Sequence, residues 1–177
     1  MTFWLFAFIL NDSMTKIYIS FASIKPYGFV KKIASEKYNI CENGITLLKA
    51  EHGKPYFKEL PQFHFNISHS ADLCLIAVSD SPVGIDTEKP RQINLNIAKR
   101  FCKEEFDYIS ERDSENRFFE IWTKKEAYLK YKGLGLSGGL DTFNVLNPDI
   151  PIATFEIDGY TVSLCSFDKD FSTEYIK

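Results

Sequence analysis

The sequence lacks what a zinc site, a membrane span or a nucleic-acid binder would need. Among its 177 residues are four cysteines, and Cys41, Cys74, Cys102 and Cys165 form no C-x-x-C pair. That scatter excludes a zinc-finger pattern and a disulfide framework, and it fits core thiols kept reduced in a cytoplasm. No excess of base is present: 21 Lys and Arg stand against 24 Asp and Glu, a net charge of -3. A chain held to nucleic acid by its overall field is basic, so nucleic acid is not an expected partner. The apolar run Phe3 to Leu10 is far short of the ~20 residues that span a bilayer. No Lys or Arg precedes it, as would be needed in a signal peptide, and no membrane role is expected.

What is present is a core. Apolar residues make up 45% and aromatics 15% of the chain, a globular composition. The length suits one compact domain or two small halves sharing a sheet. Residues 1–13 stand apart as an apolar lead: an extra edge strand, a hydrophobic leader, or a start placed ahead of Met14. Beyond it, strands are expected at Ile17–Phe21, Ile45–Leu48, Phe63–Ile67, Leu73–Val78, Val83–Glu88 and Asp141–Val145. Helical spacing marks Pro26–Tyr38, Ile93–Phe101, Lys103–Ser110 and Glu115–Lys132, the last capped by Ser114 and ended by Gly133. Asp158-Gly159 turns a hairpin near the carboxy end. The pattern is α+β, with mostly antiparallel strands and helices in blocks. It divides into an amino-terminal half at 14–80 and a carboxy-terminal half at 81–177.

The chemistry begins at "VGIDTE". Strand alternation points Asp86 and Glu88 to one face. Paired carboxylates repel, and burial disfavours their charge. A hard cation between them removes both problems, and oxygen donors suit magnesium completed by water and phosphate. The bland alternative is a solvated strand end. On the long helix, Trp122, Glu126 and Lys130 are spaced i, i+4, i+8 and share a stripe. Facing the strand end, Glu126 would be a third carboxylate and Lys130 a phosphate-binding cation; otherwise they are a surface ion pair. In "FNISHS", Ser68 and His69 offer donors to a phosphate. Being adjacent on a strand they point apart, which argues against a catalytic pair. In "HGKPYF", Pro55 would hold Lys54 in a turn.

Taken together, "GKPYF", "FNISHS", "VGIDTE" and "FFEIWTKKEAYLKYKGLGLS", in this order, resemble the 4′-phosphopantetheinyl transferases of the surfactin-synthetase-activating type. The match runs from about Tyr27 to Val145. The resemblance implies two similar α+β halves related by a pseudo-twofold. It implies transfer of the phosphopantetheine arm of coenzyme A to a serine of an apo acyl or peptidyl carrier protein, releasing adenosine 3′,5′-bisphosphate. It puts magnesium on Asp86, Glu88 and Glu126, catalysis on Glu126 and Lys130, and coenzyme A contacts on Lys54, Pro55, Ser68, His69 and Lys130. A cytoplasmic monomer is implied, meeting its carrier near Arg100 to Ile109.

The sequence departs from that pattern in two places. Thr87 stands where an aliphatic residue is usual. The amino-terminal half is shortened, and the basic stretch that grips the 3′-phosphate of coenzyme A is missing or compressed, leaving Lys25, Lys31 or Lys32 as substitutes. Two other readings stand beside transfer: a relative that binds coenzyme A or carrier without catalysis, and a magnesium-dependent phosphodiesterase.

Overall fold

Alternation along strand β1 (Thr15–Ser20) sends Ile17 and Ile19 to one side and Tyr18 to the other, and both sides are buried. The computed structural model describes residues 14–135, 139–168 and 170–177. The apolar lead Phe3–Leu10 and the motif residues Leu136 and Ser137 lie outside the described residues. β1 pairs antiparallel with β5 (Leu73–Ser79), which pairs antiparallel with β4 (His64–Ser70). On its other edge β1 runs parallel to β9 (Phe171–Tyr175), giving the order β4-β5-β1-β9. A second sheet holds β6 (Val83–Glu88), β8 (Tyr160–Ser166) and β7 (Ile152–Ile157) in the order β6-β8-β7, all antiparallel.

The two-residue period explains the layering. Ile17, Ile19, Leu73, Leu75 and Ala77 of the first sheet share one apolar cluster with Val83, Ile85, Tyr160, Val162 and Leu164 of the second. The alternate residues Tyr18, Cys74, Ile76 and Val78 pack with Val30 and Ala34 of α1 (Pro26–Tyr38) and with Phe57. Phe57 ends β3 (Pro55–Phe57), which forms a small hairpin with β2 (Leu47–Lys49). A third cluster joins α2 (Lys103–Glu111) and α3 (Ser114–Lys132) through Ile109, Phe118, Phe119 and Ile121. The strand following the first sheet therefore opens the second, and the last strand returns to the first. All four cysteines are free thiols, but only Cys74 and Cys165 are the buried core thiols expected; Cys41 is exposed and Cys102 half-buried. No helix among the described residues is long and apolar enough to cross a membrane.

Several sequence expectations change. The stretch expected as a helix at Ile93–Phe101 is a 3-10 turn, Leu95–Arg100, whose start accepts a hydrogen bond on the Asn94 side chain. The residue preceding α3 is Asp113, in left-handed backbone, and not Ser114, which is already helical. Aspartate tolerates that conformation better than most non-glycine residues, and the Asn116 amide donates to the Asp113 carboxylate at 3.1 Å. Asp141–Val145 is no strand. Its backbone groups are claimed elsewhere: the Phe143 carbonyl accepts from Lys125 and the Val145 amide donates to Glu105. β3 and β9 were not foreseen, since each is short and partly exposed. Gly133 does end α3 in left-handed backbone, donating to the Lys130 and Leu129 carbonyls.

Candidate active site

β4 and β6 lie at the edges of different sheets, yet they are joined through side chains. Asn66 Oδ1 accepts from the Ile85 amide at 2.8 Å, Ser68 Oγ from the Thr87 amide at 3.3 Å, and Ser70 Oγ from the Lys89 amide at 3.0 Å. Alternate residues on one strand meet alternate amides on the other, because both strands have the same period. The two serines then donate onward. Ser68 Oγ donates to Asp86 Oδ1 at 2.8 Å, and Ser70 Oγ donates to Glu88 Oε2 at 2.9 Å. The small polar residues of "FNISHS" thus weld the sheets and aim both carboxylates of "VGIDTE".

The seam has a thermodynamic consequence. Asn66→Ala leaves the buried Ile85 amide without its acceptor, which costs about 1–3 kcal/mol. Urea unfolding of that variant is expected to show a loss in this range, and an unchanged midpoint would mean the seam contributes nothing.

α3 crosses β6 at Gly84, where any Cβ would collide with the Ala127 carbonyl and the Tyr131 amide. That close approach brings the stripe of α3 to the strand. Lys130 Nζ lies 2.7 Å from Asp86 Oδ1, and it also donates to Ser68 Oγ at 3.1 Å and to the Ile85 carbonyl at 3.2 Å. Burial raises the Asp86 carboxyl above its ordinary range, while the Lys130 ammonium and the Ser68 hydroxyl pull it down. Glu126 is pushed up to about 7, first by burial and then by the negative charges of Asp86 and Glu88, with Lys130 opposing. Glu88 has a second partner in Arg91, at 2.9 Å. Trp122, at the head of the stripe, packs on Phe101 and Phe118 and anchors the helix to the third cluster.

The donor set can be tested against a magnesium ion. Asp86, Glu88 and Glu126 offer only oxygen, which suits a hard cation. A cation would also offset the burial and repulsion that raise the Glu126 carboxyl. Among the described residues, however, no three acidic, histidine or cysteine side chains are gathered into a ready ligand set. The Lys130 ammonium holds the position beside Asp86. By donor type and charge the three carboxylates suit magnesium, while the Lys130 ammonium pairs with Asp86.

The remaining expected residues fall in different surroundings. Ser68 is buried and fully engaged with Asp86, Lys130 and Thr87. His69 points the other way, as strand alternation requires, and its side chain is largely exposed; partial desolvation and then the Lys130 charge lower its imidazole pKa. It lines a cavity of about 360 Å³ with Phe21, Ala22, Ser23, Ile24, Ala71, Asp72, Leu73 and Cys74, none of them basic. Lys54 turns inward, donating to the Val83 and Tyr131 carbonyls at 3.1 Å each, and burial lowers its ammonium to about 8. Pro55 opens β3. Thr87 is buried, and its hydroxyl has no hydrogen-bond partner among the described residues. Asn66 and Ser70 were not singled out from the sequence. Their signal was the run of hydrogen-bonding side chains at positions 66, 68 and 70, on one face of one strand.

Residues 82–176 match the family described as the 4'-phosphopantetheinyl transferase superfamily. The chain is 35% identical over 161 aligned residues to 4'-phosphopantetheinyl transferase Sfp of Bacillus subtilis, covering 80% of this chain and 72% of that protein. It is 39% identical to 4'-phosphopantetheinyl transferase psf-1 of Bacillus pumilus over 64% of this chain and 51% of that protein. It is 33% identical to 4'-phosphopantetheinyl transferase gsp of Aneurinibacillus migulanus, covering 77% of this chain and 65% of that protein.

Proposed function

Since the chain belongs to the 4'-phosphopantetheinyl transferase superfamily, we propose that it moves the phosphopantetheine arm of coenzyme A onto a serine of an apo acyl or peptidyl carrier protein, with adenosine 3′,5′-bisphosphate as the second product. The observation that carries this reading is the meeting of α3 with β6: Lys130 on Asp86 at 2.7 Å, and Glu126 held near neutrality beside them.

The roles follow from charge and reach. The carrier serine oxygen attacks the phosphorus that bears the pantetheine, and the bond from that phosphorus to the bridging oxygen breaks. The bridging oxygen leaves with the adenosine 3′,5′-bisphosphate. Glu126, directly or through a water, takes the serine proton; its carboxyl stands at about 7 in the metal-free site, and a cation held there would lower it. Lys130 supplies positive charge to the phosphate oxygens in a partly desolvated site. Asp86, Glu88 and Glu126 would hold magnesium, which neutralises and aligns the pyrophosphate when bound. Ser68 and Ser70 keep Asp86 and Glu88 turned toward the site.

Leu95 and Ile97 are exposed at 37% and 41% on the turn that follows β6, with Lys99 and Arg100 beside them in sequence. Apolar and basic surface of this kind fits an acidic helical carrier. Phe101 and Ile109, within the stretch first considered for that role, are buried in the third cluster. All the named catalytic and binding groups come from one chain, so we propose that a monomer suffices.

The test is the intact mass of an apo acyl carrier protein incubated with this protein, coenzyme A and magnesium. A gain of one phosphopantetheine arm, lost when a chelator is added, is the expected result. No gain with any apo carrier would overturn the transfer reading, and a gain that persists in chelator would overturn the magnesium role.

A further inference from the structure

We propose that Lys54 is a positioning residue: it caps the carboxy end of α3 and sets the Glu126–Lys130 face against β6, instead of binding the phosphates of coenzyme A. The kinetic part of the test rests on the transfer reading; the structural part does not.

A helix leaves its last carbonyls without intrahelical donors. In α3 the Leu129 carbonyl accepts from the Leu134 amide at 3.1 Å and the Lys130 carbonyl from the Gly133 amide at 3.2 Å. The next carbonyl, Tyr131, accepts from Lys54 Nζ at 3.1 Å. A cation at this end also suits the helix dipole. The same ammonium donates to the Val83 carbonyl, at the first residue of β6, again at 3.1 Å. One group therefore ties the end of the helix to the start of the strand.

Its placement is fixed from its own side. The Ala50 amide donates to the Lys54 carbonyl at 2.9 Å and the Gly53 amide to the Ala50 carbonyl at 2.8 Å, closing a tight turn. Pro55 then restricts the backbone of Lys54. The Lys54 stem lies under Gly133, within 3.5 Å of where a Cβ would stand there. Among the described residues no carboxylate pairs with Lys54. Drawing its ammonium away to a phosphate would strand two carbonyls, one at each end of the join. Tyr131 directly follows Lys130 in the chain, and Val83 directly precedes Gly84, where α3 and β6 touch. The motifs "HGKPYF" and "YLKYKG" thus meet through a single lysine.

Lys54→Met keeps the apolar stem and removes the donor. The expected result is a kcat lower by about 10- to 100-fold, as for misplaced reacting groups, with the KM for coenzyme A within about twofold of wild type. Hydrogen exchange at the Gly133 and Leu134 amides should quicken by about tenfold as the helix end frays. Lys54→Arg, which can still donate to both carbonyls, should restore most of kcat. Should Lys54→Met be too unstable to assay, Lys54→Leu, which also lacks a donor, carries the same measurements. A rise of about tenfold or more in the coenzyme A KM, with kcat and exchange unchanged, would make Lys54 a phosphate ligand and overturn the proposal. If the wild type transfers no arm, the transfer reading fails. The exchange measurement then decides the cap alone, and unchanged exchange overturns it.

Discussion

Glu126→Gln is expected to abolish arm transfer and yet to stabilise the metal-free protein above about pH 7. Burial and the charges of Asp86 and Glu88 raise the Glu126 carboxyl from its ordinary 4.5 to about 7. The fold therefore prefers the protonated form. Its contribution to stability is fully present below 4.5 and is lost as pH rises through about 7. Above that range the wild type must hold a third negative charge beside Asp86 and Glu88, and glutamine does not. Thermal unfolding in chelator should show the wild-type midpoint falling across this window relative to the variant. Magnesium should raise the wild-type midpoint more than that of Glu126→Gln, because a bound cation offsets the repulsion. Transfer should fall by about 100- to 10,000-fold, the size of a lost general base. A variant that is no more stable than wild type in chelator at high pH would show that Glu126 carries no such burden. Full transfer in the variant would remove it from catalysis.

The second large effect is expected at a buried ion pair between α2 and α3. Lys125 and Glu105 are both 0% exposed, with their charged atoms 2.7 Å apart. Each is otherwise satisfied. Lys125 Nζ donates to the Phe143 carbonyl at 2.7 Å and lies over the Phe143 and Phe101 rings. Glu105 accepts from the Val145 amide at 2.8 Å and the Cys102 amide at 3.2 Å. Removing either partner leaves the other as an uncompensated buried charge. Lys125→Met and Glu105→Gln should each cost about 3–5 kcal/mol. Their combination should cost less than the sum, by about 0.5–3 kcal/mol of coupling. A double-mutant cycle by urea unfolding measures this, and simple additivity would show the pair to be independent. The pair also carries a folding lesson. It holds the segment after α3 by backbone groups, which is why Asp141–Val145 failed to become the strand its alternation suggested.

The same contrast runs through the site. Asp86 and Glu88 sharing a face was legible from their spacing, as was the opposed orientation of Ser68 and His69. So was the stripe carrying Glu126 and Lys130, because helical periodicity is local. Asn66 and Ser70 were harder to assign. A polar side chain on a strand reads the same whether it faces water or a neighbouring strand's amides. Lys54 was read as a coenzyme A contact because the family resemblance implies it, and a turn lysine next to proline shows no partner in its own motif to say otherwise. Its partners, the Val83 and Tyr131 carbonyls, are backbone groups that any residue would present.

By itself the sequence determined the element types of most of the chain, the α+β class, the family and the carboxylate-bearing faces. These depend on short-range periods and on motifs a few residues long. Only the tertiary structure decided which faces meet. It put Lys130 on Asp86, welded β4 to β6 through Asn66, Ser68 and Ser70, and returned β9 to the first sheet. It also turned two lysines of the most recognisable motifs, Lys54 and Lys125, away from the site and into the frame that holds it. The physical reason is reach. Periodicity sets the direction in which a side chain leaves its own backbone, and the partner it finds depends on packing between elements distant in sequence.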